Sequence, residues 1–448
     1  MALVSPFGCS VSFAARLRDE GAAVKLFVDR GKGRDRTGLG KVGTGIVETA
    51  DGWDEILAWA KEPAGPTLML FDGSGMGDKA DEARKAGLHV IGGSRFCDRA
   101  EKDRPFGAAL AEEMGAILPD TSEFTTVSDA IAYAADLGET PTYFKSNRYL
   151  DADATYGARD GEDLAEYLTH IRARYGDHMR CIVQDKIDGV SISTAAWFNG
   201  REFILPHAGT IEHKKFLSDD LGPSTGCALN VTWFYPESSE RGSTIGDALG
   251  FDKLAEILRR HEAPPGIYDA NAVVDDEGDP FFLEWCCRYG WDSEPTGMRL
   301  FGEYSRFLWF LATGQGDPGP ISEPGTLAYS IRLSVPPYPC EEIKADDKES
   351  PIGTPVRGAD GLWNGHFVGY QLMADRHGLA VAAPEGIVGL SLAVGRKMSV
   401  LNERVVRFAK DEMRVPGLQF RTDGAAVIKA DAAKLGKVLD DLPEGLTT

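Results

Sequence analysis

GIYDANAVVDDEGDPFFLEWCCRYG, residues 266–290, reads as two strands joined by an acidic turn. Gly266–Val274 and Pro280–Cys287 are rich in β-branched and aromatic residues, and the DDEGD between them is turn chemistry. Side chains alternate between the faces of a strand, so Glu284, Cys286 and Arg288 share one face of the second strand. By the same rule Asp269 and Asn271 share one face of the first. Acid and base on one face of a core strand point to a cation site beside an anion site. If the two strands pair as a hairpin, oxygen donors converge from both, which suits Mg²⁺ holding nucleotide phosphates. The alternation fits equally well an exposed sheet face with a surface ion pair.

Upstream lie three stretches of the kind that gathers around phosphate. Lys145 in TYFKSN (142–147) ends an apolar strand, where a compact ammonium can reach a phosphate. Taken alone, such a lysine is usually just a solvated strand end. CIVQDKIDGVS (181–191) is a strand running into an Asp-Gly turn, and its end offers backbone N–H and C=O groups to an adenine edge, or is a plain strand and turn. SISTAAWFNGREFILPHAG (191–209) carries Asn199-Gly200, the signature of a two-residue hairpin loop. It runs into GTIEHKKFLSDDLGPSTGC (209–227), which brings His213, Lys214 and Lys215 close to Asp219, Asp220 and a GPSTG loop. Basic side chains, small polar residues and free backbone N–H groups bind phosphate or carboxylate. Turn chemistry accounts for the Gly-Pro pair but not for this polar density. A helix over Asp247–His261 leads back to the first hairpin.

The first hundred residues alternate strands (Met1–Val4, Ala22–Val28, Pro66–Asp72, Leu88–Ile91) with helices (Val11–Glu20, Trp53–Lys61, Asp78–Gly87). That pattern predicts a parallel, doubly wound sheet whose ligands sit beyond the carboxyl ends of the strands, near Gly8–Ser12 and Asp72–Gly77. From Asp98 the pattern changes, beginning with a helix over Arg104–Met114. Thr313–Pro324 (TGQGDPGPISEP) is dense in Gly and Pro and reads as a linker. With 448 residues, about three domains are expected. They are residues 1–98 (N-terminal α/β), 99–322 (core) and 323–448 (C-terminal, mixed α+β).

Composition narrows the function. Lys+Arg 48 against Asp+Glu 69 gives a net charge of −21, which disfavours sequence-independent binding of nucleic acid. The seven cysteines are scattered without CxxC spacing, so neither a disulfide framework nor a structural zinc site is expected. No apolar run approaches the ~18 residues that span a bilayer, and no signal peptide is evident, so a cytoplasmic setting without membrane partners is expected.

Lys145, QDKIDG, EHKK…DDLGPSTG, LEWCCRYG and the late PGLQFRTDG (416–424), in this order, resemble glycinamide ribonucleotide synthetases (phosphoribosylamine–glycine ligases) of the ATP-grasp superfamily over nearly the whole chain. The resemblance implies an N-terminal doubly wound domain, a two-lobed ATP-grasp core and a C-terminal α+β domain. It also implies an ATP-dependent carboxylate–amine ligase, in which ATP phosphorylates a carboxylate and an amine displaces the phosphate. Carried over by position, Arg104, Lys145, Gln184, Asp185, Ile187 and Ser191 would bind ATP. Glu284, Asp269, Asn271 and Cys286 would surround Mg²⁺ or Mn²⁺. Gly8, Ser10, His213, Lys215, Ser224, Thr225 and Gly226 would contact the small-molecule amine and amino-acid substrates. Lys214, Asp220 and Arg288 would be catalytic.

The departures fall on the ligand loops. Arg104 stands where the family has a phosphate-binding lysine, and SNRYLDADATYG (146–157) replaces its glycine-rich lid. Cys286 replaces a metal-binding asparagine and is a poor partner for a hard cation. GPSTGCAL replaces GPNTGGMG, and PFGCSVSFA (6–14) replaces the N-terminal GSGGREHAL that would meet the phosphoribosyl group. Two other readings follow from these changes: a ligase joining a different amino acid to another amine, or a non-catalytic nucleotide-binding relative.

Overall fold

The computed structural model describes residues 1–29, 40–62, 65, 67–147, 155–236, 244–339, 343–359 and 361–448. Strands β1 (Ala2–Ser5), β2 (Lys25–Val28), β3 (Glu48–Ala50), β4 (Leu68–Phe71) and β5 (His89–Ile91) form a parallel sheet in the order β3-β2-β1-β4-β5. Their buried apolar runs and the intervening helices Val11–Asp19, Trp53–Lys61 and Gly77–Lys85 are those of the expected doubly wound unit. The three-residue β3, two of them exposed, is too short and polar to be seen in the sequence. Pro66, the expected start of the third strand, lies outside the described residues, as does Cys340.

A second sheet contains β6 (Thr121–Phe124), β7 (Thr142–Ser146), β8 (Thr155–Ala158) and β9 (Cys181–Asp185), antiparallel in the order β6-β9-β7-β8. Helices Val127–Ala134 and Gly161–Tyr175 cover one face, burying Val127, Ala130, Phe144, Leu164 and Leu168. Residues 148–154 of the expected lid lie outside the described residues.

The third sheet has eight strands: β10 (Val190–Phe198), β11 (Phe203–Leu217), β12 (Leu221–Phe234), β13 (Gly266–Val274), β14 (Pro280–Cys286), β15 (Leu327–Ser334), β16 (Phe367–Gly369) and, after the ribbon β17 (Leu372–Asp375)/β18 (Gly378–Val381), β19 (Ile387–Gly395). Its order is β14-β13-β10-β11-β12-β15-β19-β16, so strands from both sides of residue 322 share one sheet. Leu229 of β12 stands opposite Ile331 of β15.

Two local expectations are corrected. Asn199-Gly200 belongs to a four-residue connection between β10 and β11, in which the Asn199 Oδ1 accepts from the N–H groups of Arg201 and Glu202, both at 2.9 Å. The Asp247–His261 helix is two helices, Thr244–Leu249 and Phe251–Arg260. Gly250 breaks it at φ +85°, where a Cβ would lie 2.3 Å from the Met114 carbonyl oxygen. A side chain there fails on both backbone and packing grounds. Among the described residues, no helix is long and apolar enough to cross a membrane.

One buried ion pair ties the large sheet to the chain following β14. Arg332 grips Asp292 through Nε at 3.0 Å and Nη2 at 2.6 Å, and also donates to the Tyr338 hydroxyl at 2.9 Å. Both charged side chains are withdrawn from water. Breaking such a pair leaves a buried charge uncompensated, at a cost of about 3–5 kcal/mol. Arg332→Met should therefore lower the urea midpoint by that equivalent, and the joint change Arg332→Met/Asp292→Leu should recover most of the loss.

Candidate functional site

The two strands read first from the sequence do pair as a hairpin, Asn271 opposite Glu284 and Asp269 opposite Cys286, with a bulge between Asn271 and Ala272. Alternation on paired strands thus brings these four side chains to one face. Beside β14 opens a cleft of about 360 Å³ between the second and third sheets; its walls include Arg104, Thr121, Ile182, Gln184, Glu284 and Trp285. Arg104 enters from the start of helix Arg104–Met114.

Glu284 is the centre of charge. Arg104 Nη1 and Lys214 Nζ each lie 3.9 Å from one of its oxygens. Burial pushes the Glu284 carboxyl up, but Lys214, Lys145, Arg104 and Arg288 together hold it below the usual carboxylate range. Lys145 is buried at the end of β7 and donates to Gln184 Oε1 at 2.8 Å, while Gln184 Nε2 donates to Thr121 Oγ1 at 3.0 Å. Burial brings the Lys145 ammonium down to about 8, with Arg104 and Lys214 adding to the effect and Glu284 opposing it. Lys214 is held above the usual lysine range, first by Glu212, whose carboxylate lies 3.3 Å away, and then by Glu284.

Behind Glu284, burial lifts the Asp269 carboxyl to about 7, with Glu212 adding and Arg288 opposing. Its Oδ1 is buried without a hydrogen-bond partner. Asn271 Nδ2 donates to Cys286 Sγ at 3.3 Å. Burial keeps the Cys286 thiol protonated, which suits it as an acceptor for that amide and not as a ligand for a hard cation. Arg288, just past the end of β14, is bound by Glu101 at 3.1 Å and reaches Cys286 Sγ at 3.7 Å. The oxygen donors open to a divalent cation are therefore Glu284 and Asn271, with Asp269 behind them. Among the described residues, no three His, Cys, Asp or Glu side chains close into a ready-made metal cluster.

The other expected residues are more dispersed. Asp185, at the end of β9, donates its N–H to the Asp120 carbonyl at 2.9 Å, and burial together with Asp120 raises its carboxyl. Ile187 and Ser191 follow on the way to and at the start of β10; none of these three lines the cleft. On the β11–β12 hairpin, Lys215 stands opposite Ser224, Thr225 Oγ1 donates to the Lys214 carbonyl at 2.8 Å, and Gly226 lies beside Trp291. In the N-terminal unit, the Gly8 N–H donates to Ser5 Oγ at 2.9 Å, and the Ser10 hydroxyl donates to Asp72.

His213 and Asp220 form a latch. At the hairpin tip Asp219 and Asp220 take positive φ values of 58° and 52°, a region that short polar side chains tolerate. Arg421, 2% exposed, donates to Asp220 at 2.7 Å, to Asp423 at 2.6 and 2.9 Å, and to the Lys215 carbonyl at 3.0 Å. His213 bridges Asp220 through Nδ1 and Asp431 through Nε2, each at 2.9 Å. The tip of β11–β12 is thus bolted to the C-terminal segment. Sequence reasoning missed Glu212, Glu101 and Asp431. Only Glu212, directly before His-Lys-Lys, carried a local signal.

No protein-family model matches the chain. A phosphoribosylamine–glycine ligase of Vibrio vulnificus (strain YJ016) is 22% identical over 390 residues, which is 82% of this chain and 84% of the relative. Among solved structures, the phosphoribosylamine–glycine ligase of Thermotoga maritima superposes with a TM-score of 0.70 at 16% identity, covering 94% of this chain and 99% of that one. The biotin carboxylase domain of the Hydrogenobacter thermophilus 2-oxoglutarate carboxylase, solved with MgADP and bicarbonate, gives a TM-score of 0.60 at 12% identity over 98% and 96%. The chain resembles phosphoribosylamine–glycine ligases and has the ATP-grasp fold.

The latch fixes the sign of one pH effect. Burial alone would lower the His213 imidazolium, but Asp431 and Asp220 outweigh it and raise its pKa above 6.5. A group with a raised folded pKa stabilises fully below its unfolded value, and the gain is lost as pH rises through the folded value. Thermal unfolding midpoints measured from about pH 5.5 to about pH 9 should therefore fall more steeply for the native chain than for His213→Asn.

Proposed function

We propose that this chain is an ATP-dependent carboxylate–amine ligase, forming an amide through an acyl phosphate and releasing ADP and phosphate. The observation that carries this reading is the gathering of Arg104, Lys145 and Lys214 around Glu284 at a cleft between two sheets. Transfer of a phosphoryl group is chiefly a matter of positioning and charge neutralisation. Arg104 would meet the phosphates from a wall of the cleft, Lys145 from the strand end behind Gln184, and Lys214 from the β11–β12 hairpin. Gln184, held by Thr121, keeps the Lys145 ammonium aimed along β7.

The carboxylate substrate attacks the terminal phosphorus, and the bond from that phosphorus to ADP breaks. The amine nitrogen then attacks the acyl carbon, the carbon–oxygen bond to phosphate breaks with its electron pair leaving on that oxygen, and the nitrogen's proton passes to the released phosphate. Arg288 supplies a guanidinium for the carboxylate or the departing phosphate, exchanging its bond to Glu101 for one to the substrate. Glu284 and Asn271 would hold Mg²⁺ or Mn²⁺, which, when bound, adds positive charge at the phosphates. His213 and Asp220 act at one remove, through the latch that fixes the hairpin carrying Lys214. The amine and the acid are small molecules, and a cytoplasmic location belongs to the same reading. The relatives' name points to phosphoribosylamine and glycine as the first pair to try.

Purified protein with ATP, Mg²⁺ and that pair, or a wider panel of amines and amino acids, should release phosphate only when acid and amine are both present. No release with any pair, together with no ATP binding by calorimetry, removes the ligase reading. Glu284→Gln should reduce turnover by at least about 100-fold, two cation contacts and a metal-holding oxygen being lost together. ATP affinity measured at about pH 7 and about pH 9 should weaken across that interval, as the Lys145 ammonium loses its proton near about 8. In Lys145→Arg, which stays charged throughout, that slope should flatten.

A further inference from the structure

The Gly- and Pro-rich stretch 313–324, expected as a linker, is a strap tied to its neighbours. Helix Tyr304–Thr313 ends at Gly314, which takes φ +68°. Arg306 Nε then donates to the Asp317 carbonyl at 3.1 Å, and the Gly319 N–H to Asp317 Oδ1 at 2.7 Å. Farther on, Ile321 forms an antiparallel bridge with Phe301. The Gly302 N–H donates to the Pro320 carbonyl at 2.8 Å, and the Ser322 N–H to the Leu300 carbonyl at 2.7 Å.

Under the strap lies a cavity of about 110 Å³ that shares no lining residue with the cleft beside β14. Sheet register explains its floor. Ala195 of β10 stands opposite Asp269, and Trp197, two residues on, emerges on the same face, opposite Ile204 of β11. The rings of Phe234, Phe301 and Phe307 meet the Trp197 ring edge to face, at centroid distances of 5.7, 5.6 and 5.7 Å. These four rings are buried, whereas Ile204, Pro318 and Ile321 are half-buried, so the cavity reaches toward solvent beneath the strap. Among the described residues no charged side chain lines it. Its one polar side-chain group is the Trp197 indole N–H, which is buried without an acceptor.

Packed interiors leave few voids of this size, and an unfilled one destabilises. A dry apolar cavity of about 150 Å³ takes benzene, so one of about 110 Å³ suits a slightly smaller ring. A phosphate or an amino acid would find no charge in these walls to replace its water. A buried donor without a partner is also costly, and an oxygen placed in the cavity would satisfy it. We infer that the cavity is a second binding site, for a compact neutral ring bearing one acceptor oxygen, a cyclic ketone in chemical class, with the Trp197 N–H recognising the oxygen. The site stands apart from the ligase reading and is the same whichever acid and amine are joined.

The full chain, labelled with ¹⁵N at its indole nitrogens and titrated with cyclopentanone and separately with benzene, tests this by magnetic resonance. Cyclopentanone should shift, saturably, the one indole N–H resonance that is missing from Trp197→Phe. It should bind about fivefold more tightly than benzene, which has the apolar ring but no oxygen. Ile321→Trp, which fills the cavity from its half-buried rim, should abolish the shift. No saturable shift at that resonance, benzene binding as tightly as the ketone, or an undiminished response in Ile321→Trp overturns the inference. Should either variant fail to fold, the comparison of the two probes on the native chain decides alone. Turnover is not read, so failure here is distinct from failure of the ligase reading.

Discussion

Glu284 faces more positive charge than it can neutralise, and the layout of the cleft follows from that imbalance. Arg104, Lys145 and Lys214 come from a helix, a four-stranded sheet and the long β11–β12 hairpin, and converge on one carboxylate. Glu212 offsets part of the excess. Burial first, and then the like charges of Arg104 and Lys214, make Lys145 an ammonium that gives up its proton easily. A polyanion relieves all three cations at once. In a chain of net charge −21, this concentration of positive charge is what supports the proposal of an anion received there.

Holding the cations in place is a separate task, and much of it falls to the C-terminal segment. His213 and Lys214 are neighbours on β11, so alternation sends them to opposite faces. The His213 side is fastened to Asp431 and, through Asp220, to Arg421. The Lys214 side is left toward Glu284. The charge pairs therefore position a hairpin, and much of the polar density of residues 209–227 is anchoring.

How much of this was legible depended on the distance over which the cause operates. The β13–β14 pairing, and the shared face of Asp269, Asn271, Glu284 and Cys286, followed from alternation within twenty residues. Lys145 stood out because an ammonium at the end of an apolar strand calls for a reason. Asp72 was expected only as the start of a ligand-side loop, and its bonds to Ser5 and Ser10, more than sixty residues earlier, carried no local sign. Glu101 and Arg288, 187 residues apart, carry no local sign of their bond, and neither do Asp220 and Arg421, 201 apart. The broken helix at Gly250 was missed because the obstacle, the Met114 carbonyl, belongs to another element. The resemblance to a known family supplied the order of parts where periodicity could not.

The large central sheet has a consequence for how the chain is made. Asn230 on β12 hydrogen-bonds Ser330 on β15, its neighbour in the sheet, across 100 residues. During synthesis β12 must wait with one edge unpaired while that intervening length leaves the ribosome, and waiting edges are sticky. The N-terminal parallel sheet can close long before. The nascent chain thus has a finished head and an unfinished middle for much of its birth, and chaperones would have most to guard there.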